Sequence, residues 1–390
     1  MCGRFAQGIS LDEVPAVFNT TVYEDANAGG SETMMEVHNR VYQINLQEDE
    51  DAGGGNGGGR GKVIELDMTR MEDYVPSYNV AVTNTAMMVY MTRPADGIDA
   101  KYVFEKSKFG LVPTWEKPKD PTPVNEGKAN QGKVYSKELG RIESRLFNCR
   151  KESLEEGKRI WSSVKNERCV IPIQGYFEWH KSNTKTKNEK LPYFVHSKEA
   201  PLLFLAGFYS HNVHFENDYN VDNKYLSSFT IVTGPAKKSD EYDGGLADLH
   251  PRKPIFIEPS SQAWFDWLDP DRKWDNSLIA KSLNCSKNPA WRNIEAYRVA
   301  KEVGNPSNKS KDVLKKINPK KSSIDGFFSS PSKKRGSNNE GDEIGEKKKV
   351  KLEGAGDDDG EGELEPPSKR TRHGDHHLRS SGPQVKNEDE

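Results

Sequence analysis

Cys169-Val170-Ile171-Pro172-Ile173-Gln174-Gly175-Tyr176-Phe177-Glu178-Trp179 is the stretch whose reading decides the fold. Its β-branched and aromatic residues predict a strand over Arg168 to Trp179. Similar runs lie at Val80 to Met91, Leu202 to Ser210, Ser228 to Val232 and Pro254 to Ile257. Two helical patterns sit between them. One covers Gly140 to Trp161 with a break near Asn148. The other starts at the Ser260-Ser261 cap, where Trp264, Trp267 and Leu268 recur at i, i+3, i+4 and read as core. The layout predicts an α+β domain: a mainly antiparallel, barrel-like sheet with peripheral helices.

Within the deciding stretch, Glu178 stands between Phe177 and Trp179. A carboxylate there is costly unless it is paired or functional, and a site walled by apolar groups suits a proton shuttle. The solvated face of an edge strand satisfies the same pattern. His250, in Leu249-His250-Pro251-Arg252, follows a Gly244-Gly245 turn and leads into the strand at Pro254. A His at such a junction can give or take a proton near neutrality, or can be purely structural. His211 and His214 read as part of a polar, insertion-like loop, and His373, His376 and His377 as tail; none is a catalytic candidate.

Composition bounds the rest. Of 390 residues, those from 305 to 390 are dominated by Lys, Glu, Asp, Ser and Gly, with Phe327 and Phe328 almost the only aromatics. Such a segment cannot bury enough apolar surface to offset the entropy of ordering it. One domain over residues 2–304 followed by a disordered tail is expected. Two flexible insertions interrupt that domain: about 24–62, with the run Gly53 to Gly59, and about 116–133, rich in Pro, Lys and Asn. No GK[ST] follows the glycines, so they read as linker and not as a phosphate loop. The net charge of −3 says nothing about nucleic acid. Cys2, Cys149, Cys169 and Cys285 show neither CxxC pairing nor metal-ligand spacing, so reduced thiols and no metal or cofactor are expected. No signal peptide and no run approaching 18 apolar residues is visible, so no membrane span is expected.

Cys2, directly after Met1, carries the sharpest chemistry. Aminopeptidases remove Met1 before a small residue, which leaves a thiol and an α-amine on adjacent carbons. The amine has an ordinary pKa of about 7.7–8.0 and the thiol about 8.5, so each is expected to be partly nucleophilic near neutrality. Facing an aldehyde, the amine forms an imine and the thiol closes a thiazolidine ring. Chance, acetylation or lipidation also places Cys at position 2. Myristoylation is excluded, because Gly is third.

Six motifs occur together: Met1-Cys2-Gly3-Arg4-Phe5, Tyr78-Asn79-Val80-Ala81, Gly110-Leu111-Val112-Pro113-Thr114-Trp115, Asn148-Cys149-Arg150, Gly175-Tyr176-Phe177-Glu178-Trp179 and Leu249-His250-Pro251-Arg252. In this order the chain resembles the SOS response-associated peptidase (SRAP) family over roughly residues 2 to 300. The resemblance implies a mainly β fold with a groove for single-stranded DNA and covalent capture of abasic sites, whose ring-opened sugar is an aldehyde. It implies Cys2 as nucleophile, Asn148 orienting the N-terminal residue, Glu178 moving protons, and His250 assisting sugar ring opening. It implies Arg4, Arg150 and Arg252 on phosphates, with Asn79 and Trp115 shaping the groove. AP-lyase chemistry by β-elimination and a self-releasing peptidase activity are also implied. Val82, Cys149 and Pro251 depart from the family's usual residues without removing a catalytic group.

In the tail, Lys321 to Phe328 has the spacing of a sliding-clamp (PCNA) binding peptide, with Ile324, Phe327 and Phe328 as its apolar anchors. Clusters at Lys333 to Arg335, Lys347 to Lys351 and Lys369 to Arg372 point to nuclear import, and a monomer at chromatin and replication forks is expected. Two other functions fit parts of the pattern: a non-covalent reader of 5-hydroxymethylcytosine in DNA, and an N-terminal-nucleophile glutamine amidotransferase. The amidotransferase needs Asn-Gly-Glu and Gly-Asp motifs in folded sequence, whereas the Gly-Asp pairs here, Gly341-Asp342 among them, all lie in the tail.

Overall fold

The deciding stretch is not one strand. In the computed structural model, which describes residues 2–24, 32–46, 62–119, 136–182, 189–218 and 225–317, it divides at Gln174 into strands of two different sheets. Gln174 N–H donates to Ala6 O at 2.9 Å and its side-chain oxygen accepts from Gly8 N–H at 2.8 Å, which pins the corner. Gly175 is required there: a Cβ would lie 2.5 Å from both the Val195 carbonyl and the Phe194 ring.

In chain order the elements are β1 (Arg4–Gln7), α1 (Val14–Asn19), β2 (Glu32–His38), β3 (Val41–Leu46), β4 (Lys62–Arg70), β5 (Ser77–Ala81), β6 (Thr85–Thr92) and β7 (Ala100–Phe109). There follow α2 (Ser136–Glu143), β8 (Asn148–Arg150), α3 (Lys151–Glu155), β9 (Arg168–Ile173), β10 (Gly175–Ser182), β11 (Glu189–Ser197), β12 (Leu203–Asn212) and β13 (Leu226–Pro235). The last are α4 (Leu246–Leu249), β14 (Arg252–Pro254), α5 (Gln262–Leu268), α6 (Asn276–Ser282) and β15 (Ile294–Arg298), with a π turn at Thr20–Glu24 and short 3₁₀ turns elsewhere.

The smaller sheet has the order β15-β11-β10-β1-β5 and is antiparallel throughout. The larger runs β14-β13-β12-β9-β6-β7-β4-β3-β2, with β8 added to β13. A parallel pairing of β13 with β7 closes β13, β12, β9, β6 and β7 on themselves, so the expected barrel-like α+β core is what forms. Val103, Phe109, Cys169, Ile171 and Phe229 share the cluster that fills it. Helix α5 starts at Ser261, whose side chain accepts from Trp264 N–H, and buries Trp264 and Trp267 as core.

Some expectations need correcting. The run Val80 to Met91 is two strands, because the turn 82–84 sends β5 and β6 into different sheets. The break near Asn148 is the short strand β8 itself. Part of segment 24–62 is not loop: β2 and β3 form a hairpin paired to β4, with Ile44 and Leu46 buried. Tyr42, Ile44 and Leu46 alternate with polar residues, a two-residue period hidden by acidic flanks. His211 is not on an insertion-like loop but on β12, bonded to the fully buried Glu105 at 3.1 Å. Residues 305–317 also belong to the fold: Val313 is buried and Ile317 N–H donates to Arg298 O at 2.9 Å. The glycine run, residues 120–133 and the tail from 318, with its clamp-like peptide and basic clusters, lie outside the described residues.

Candidate active site around Cys2

Strand β1 lies between β10 and β5, with Phe5 opposite Tyr176 on one side and Val80 on the other. This central position carries the chain start into the interior. Cys2 is buried, in one apolar cluster with Val80, Tyr176, Phe147, Leu246 and Leu249. Burial first, then the Glu178 carboxylate, push its thiol up to about 12. The expected partial ionisation near neutrality therefore does not hold: the thiol is neutral until something takes its proton.

Glu178 is the charged neighbour that adds to the effect of burial. Alternation along β10 puts Phe177 and Trp179 into the cluster with Ala6, Phe194 and Val299, while Tyr176 joins the Cys2 cluster. Glu178 therefore shares Tyr176's face, is 6% exposed, and accepts from Trp179 N–H at 3.1 Å. It is not on a solvated edge. Tyr176, which motif reading left without a role, lies near the same groups: its phenol is raised by burial, then by Glu178 and Cys2.

Asn148 arrives from a third direction. Strand β8 pairs in parallel with β13, Asn148 beside Ile231, and its Nδ2 donates to Cys2 O at 3.0 Å. Its Oδ1 is buried without a hydrogen-bond partner among the described residues. His250 closes α4, whose Leu246 and Leu249 belong to the Cys2 cluster. His250 Nδ1 lies 3.0 Å from both the N–H and the carbonyl of Arg252. The N–H suits a ring bare at Nδ1 and the carbonyl suits a ring protonated there, so one residue's backbone can serve either state.

The groups expected on DNA separate. Arg150 is exposed at the end of β8 and Trp115 is 55% exposed. Asn79 is fully buried, and its Nδ2 lies within 3.1 Å of the carbonyls of Val303, Asn305 and Asn308. Arg4 bonds Asn79 Oδ1 at 2.9 Å and Val303 O at 2.7 Å, and its guanidinium lies 5.6 Å from the Trp179 ring centre. These two residues fasten the C-terminal segment to β5. Arg252 forms a two-pronged pair with Glu152 at 2.8 and 2.9 Å. Ile324, Phe327 and Phe328 lie outside the described residues. Motif reading also missed the buried pair Lys253–Asp240, at 2.9 Å, which ties β14 back across the loop bearing His250. A Lys and an Asp thirteen apart carry no local signal. All four cysteines are unpaired, and no helix among the described residues is long and apolar enough to cross a membrane.

A closed strand core beside a second sheet holds a buried cysteine at position 2, with the Asn148 amide bonded to it, the Glu178 carboxylate near it and the segment leading to His250 packed against it. A family model described as "SOS response associated peptidase (SRAP)" matches residues 1–306. The chain belongs to that family. It is similar to the Saccharomyces cerevisiae "Abasic site processing protein YMR114C", 30% identical over 242 residues, covering 62% of this chain and 53% of the relative. The matched stretch thus spans about half of that protein. It is similar too to "Abasic site processing protein YoaM" of Bacillus subtilis, 24% identical over 243 residues, covering 62% of this chain and 86% of the relative. A third is "Abasic site processing protein HMCES" of Pongo abelii, 23% identical over 272 residues and covering 62% and 66% respectively.

Proposed function

We propose that this chain processes abasic sites in DNA by trapping them covalently through Cys2. The observation that carries the reading is the convergence on Cys2 of Glu178, Asn148 and the His250 loop from three distant segments. The relatives' shared description as abasic site processing proteins supports the same substrate.

With Met1 removed, the Cys2 α-amine attacks C1′ of the ring-opened sugar, and loss of water gives an imine. His250 donates to and accepts from the sugar oxygens during opening and dehydration. The Cys2 sulfur then adds to the imine carbon while its proton passes by way of Glu178 to the ring nitrogen. Aminothiol plus aldehyde thus gives thiazolidine plus one water. A buried, neutral thiol favours this order, the amine reacting first and the sulfur following with Glu178's help. Asn148 holds the Cys2 carbonyl and so fixes where both nucleophiles point. Arg150 and Trp115, both exposed, are assigned to phosphate contact and base stacking.

An imine that loses its C2′ proton before ring closure expels the 3′ phosphate, which is the lyase branch. Peptidase action is assigned to release of the N-terminal residue from the adduct. Nuclear import through the basic clusters and docking on a sliding clamp through residues 321–328 complete the reading.

Intact mass spectrometry of purified protein mixed with a uracil-excised oligonucleotide tests it. The expected product lacks Met1 and weighs protein plus oligonucleotide minus one water. An adduct on a chain that retains Met1 overturns the assignment to Cys2.

A further inference from the structure

Asn148 and His250 reach the site from opposite sides of one strand. Thr233 of β13 is paired with Arg150 of β8 on one side and Pro254 of β14 on the other. Arg252 spans that strand. Its Nη2 donates to Thr233 O at 2.8 Å, and Nη1 and Nη2 donate to the two Glu152 oxygens at 2.8 and 2.9 Å. Glu152 sits on α3, directly after β8, while the backbone of Arg252 holds His250 Nδ1.

We propose that Glu152 is a positioning residue: through Arg252 it fixes the His250 ring relative to Asn148. The inference rests on the covalent-capture reading and adds a role for a residue that touches neither sugar nor nucleophile. A carboxylate meeting a guanidinium fork-to-fork allows one planar geometry, so the pair restricts rotation as well as distance. Arg252's side chain is 16% exposed and Glu152's 41%, so the geometry matters here more than the strength of the ion pair. Without Glu152 the guanidinium keeps only its bonds to Thr233 and loses the planar fork that sets its orientation, so the Arg252 backbone beside the ring is held by the β13–β14 ladder alone.

Two readouts test this. In DNA-free protein, ¹⁵N spectra of the His250 ring, assigned with His250→Gln, are expected to shift in Glu152→Gln while the other described histidines stay in place. At saturating DNA, Glu152→Ala is expected to form adduct at least tenfold more slowly. Its affinity for an oligonucleotide carrying tetrahydrofuran, an abasic sugar without an aldehyde, stays equal or tightens. Glu152→Asp, which keeps the charge, recovers part of the rate. Unmoved His250 resonances overturn the proposal, and so does a rate loss matched by an affinity loss, which would mark a general DNA-binding role. Should the alanine variant not fold, the isosteric Gln variant carries both readouts. If wild-type protein makes no adduct, covalent capture fails, and the ring spectra alone decide the role of Glu152.

Discussion

The Asn148 side-chain amide donates to the Cys2 carbonyl oxygen at 3.0 Å, across a sequence separation of 146 residues. An exposed terminus would cost several rotatable bonds of ordering at each encounter with substrate. This bond orders it beforehand, which is the usual source of rate in a reaction needing two nucleophiles at one carbon.

Asn148→Asp removes the donor and sets a carboxylate against a carbonyl. Loss of the bond and the added repulsion amount to about 1–3 kcal/mol, so adduct formation slows about tenfold to hundredfold. Single-turnover crosslinking on a denaturing gel checks this, and wild-type kinetics would remove Asn148 from its orienting role.

Cys2→Ser is expected to lose heat-stable crosslinking to abasic single strands while keeping salt-sensitive binding. A fixed N-terminal extension ahead of Cys2 should do the same. A reader of modified cytosine tolerates the extension; an aminothiol trap does not. Equal crosslinking by the extended protein defeats the covalent reading.

The Cys2 thiol gives a pH signature. With its pKa pushed up to about 12, alkylation of native protein should rise about tenfold per pH unit from 7 to 11. The same shift links to stability. A group whose folded pKa is raised above its ordinary value contributes fully below that ordinary value and loses that contribution as pH climbs toward about 12. Alkaline unfolding of Cys2→Ser should begin at higher pH. An unchanged midpoint counts against a buried neutral thiol.

At the acid end the barrel interior decides. Glu105 is fully buried; burial pushes its carboxyl up, but the His211 hydrogen bond and charge, then Ser227 and Arg70, hold it below the ordinary value. A depressed folded pKa contributes stability above the unfolded value of 4.5, lost as pH falls through the folded one. Glu105→Gln should flatten that acid limb and cost about 3 kcal/mol at neutral pH, because Arg70 loses its buried counter-charge. Urea melts at pH 7 and pH 4 report both effects.

Trp115→Ala should weaken single-strand binding by about 1–3 kcal/mol with the salt slope kept. Arg150→Ala should instead lower that slope by about one. Swapped outcomes would exchange their roles.

Strand-rich local sequence made much of the fold legible. Apolar runs and their alternation placed β9, β12 and β13 close to where they lie. The division at Gln174 was not legible, because whether a strand continues or turns a corner depends on Ala6 and Gly8, far away in sequence. Residues 32–46 were hidden for a related reason: β3 alternates, but its acidic and glycine-rich flanks dominate the composition. At the site, six short motifs in order named Cys2 and its three candidate partners, Asn148, Glu178 and His250. Tyr176 sat inside one of those stretches and Glu152 just beyond another, both without a role, because a side chain that acts on another is marked by its partner.

Residue types settled which chemistry was available: an amine and a thiol on adjacent carbons, an amide, a carboxylate and an imidazole. Those properties belong to single side chains and travel with the sequence. The thiol's neutrality, the diversion of Arg4 and Asn79 to structural work, and the Glu152–Arg252 strut were decided only by the folded chain. Desolvation and hydrogen bonding are properties of surroundings, and here strands far apart in sequence supply those surroundings.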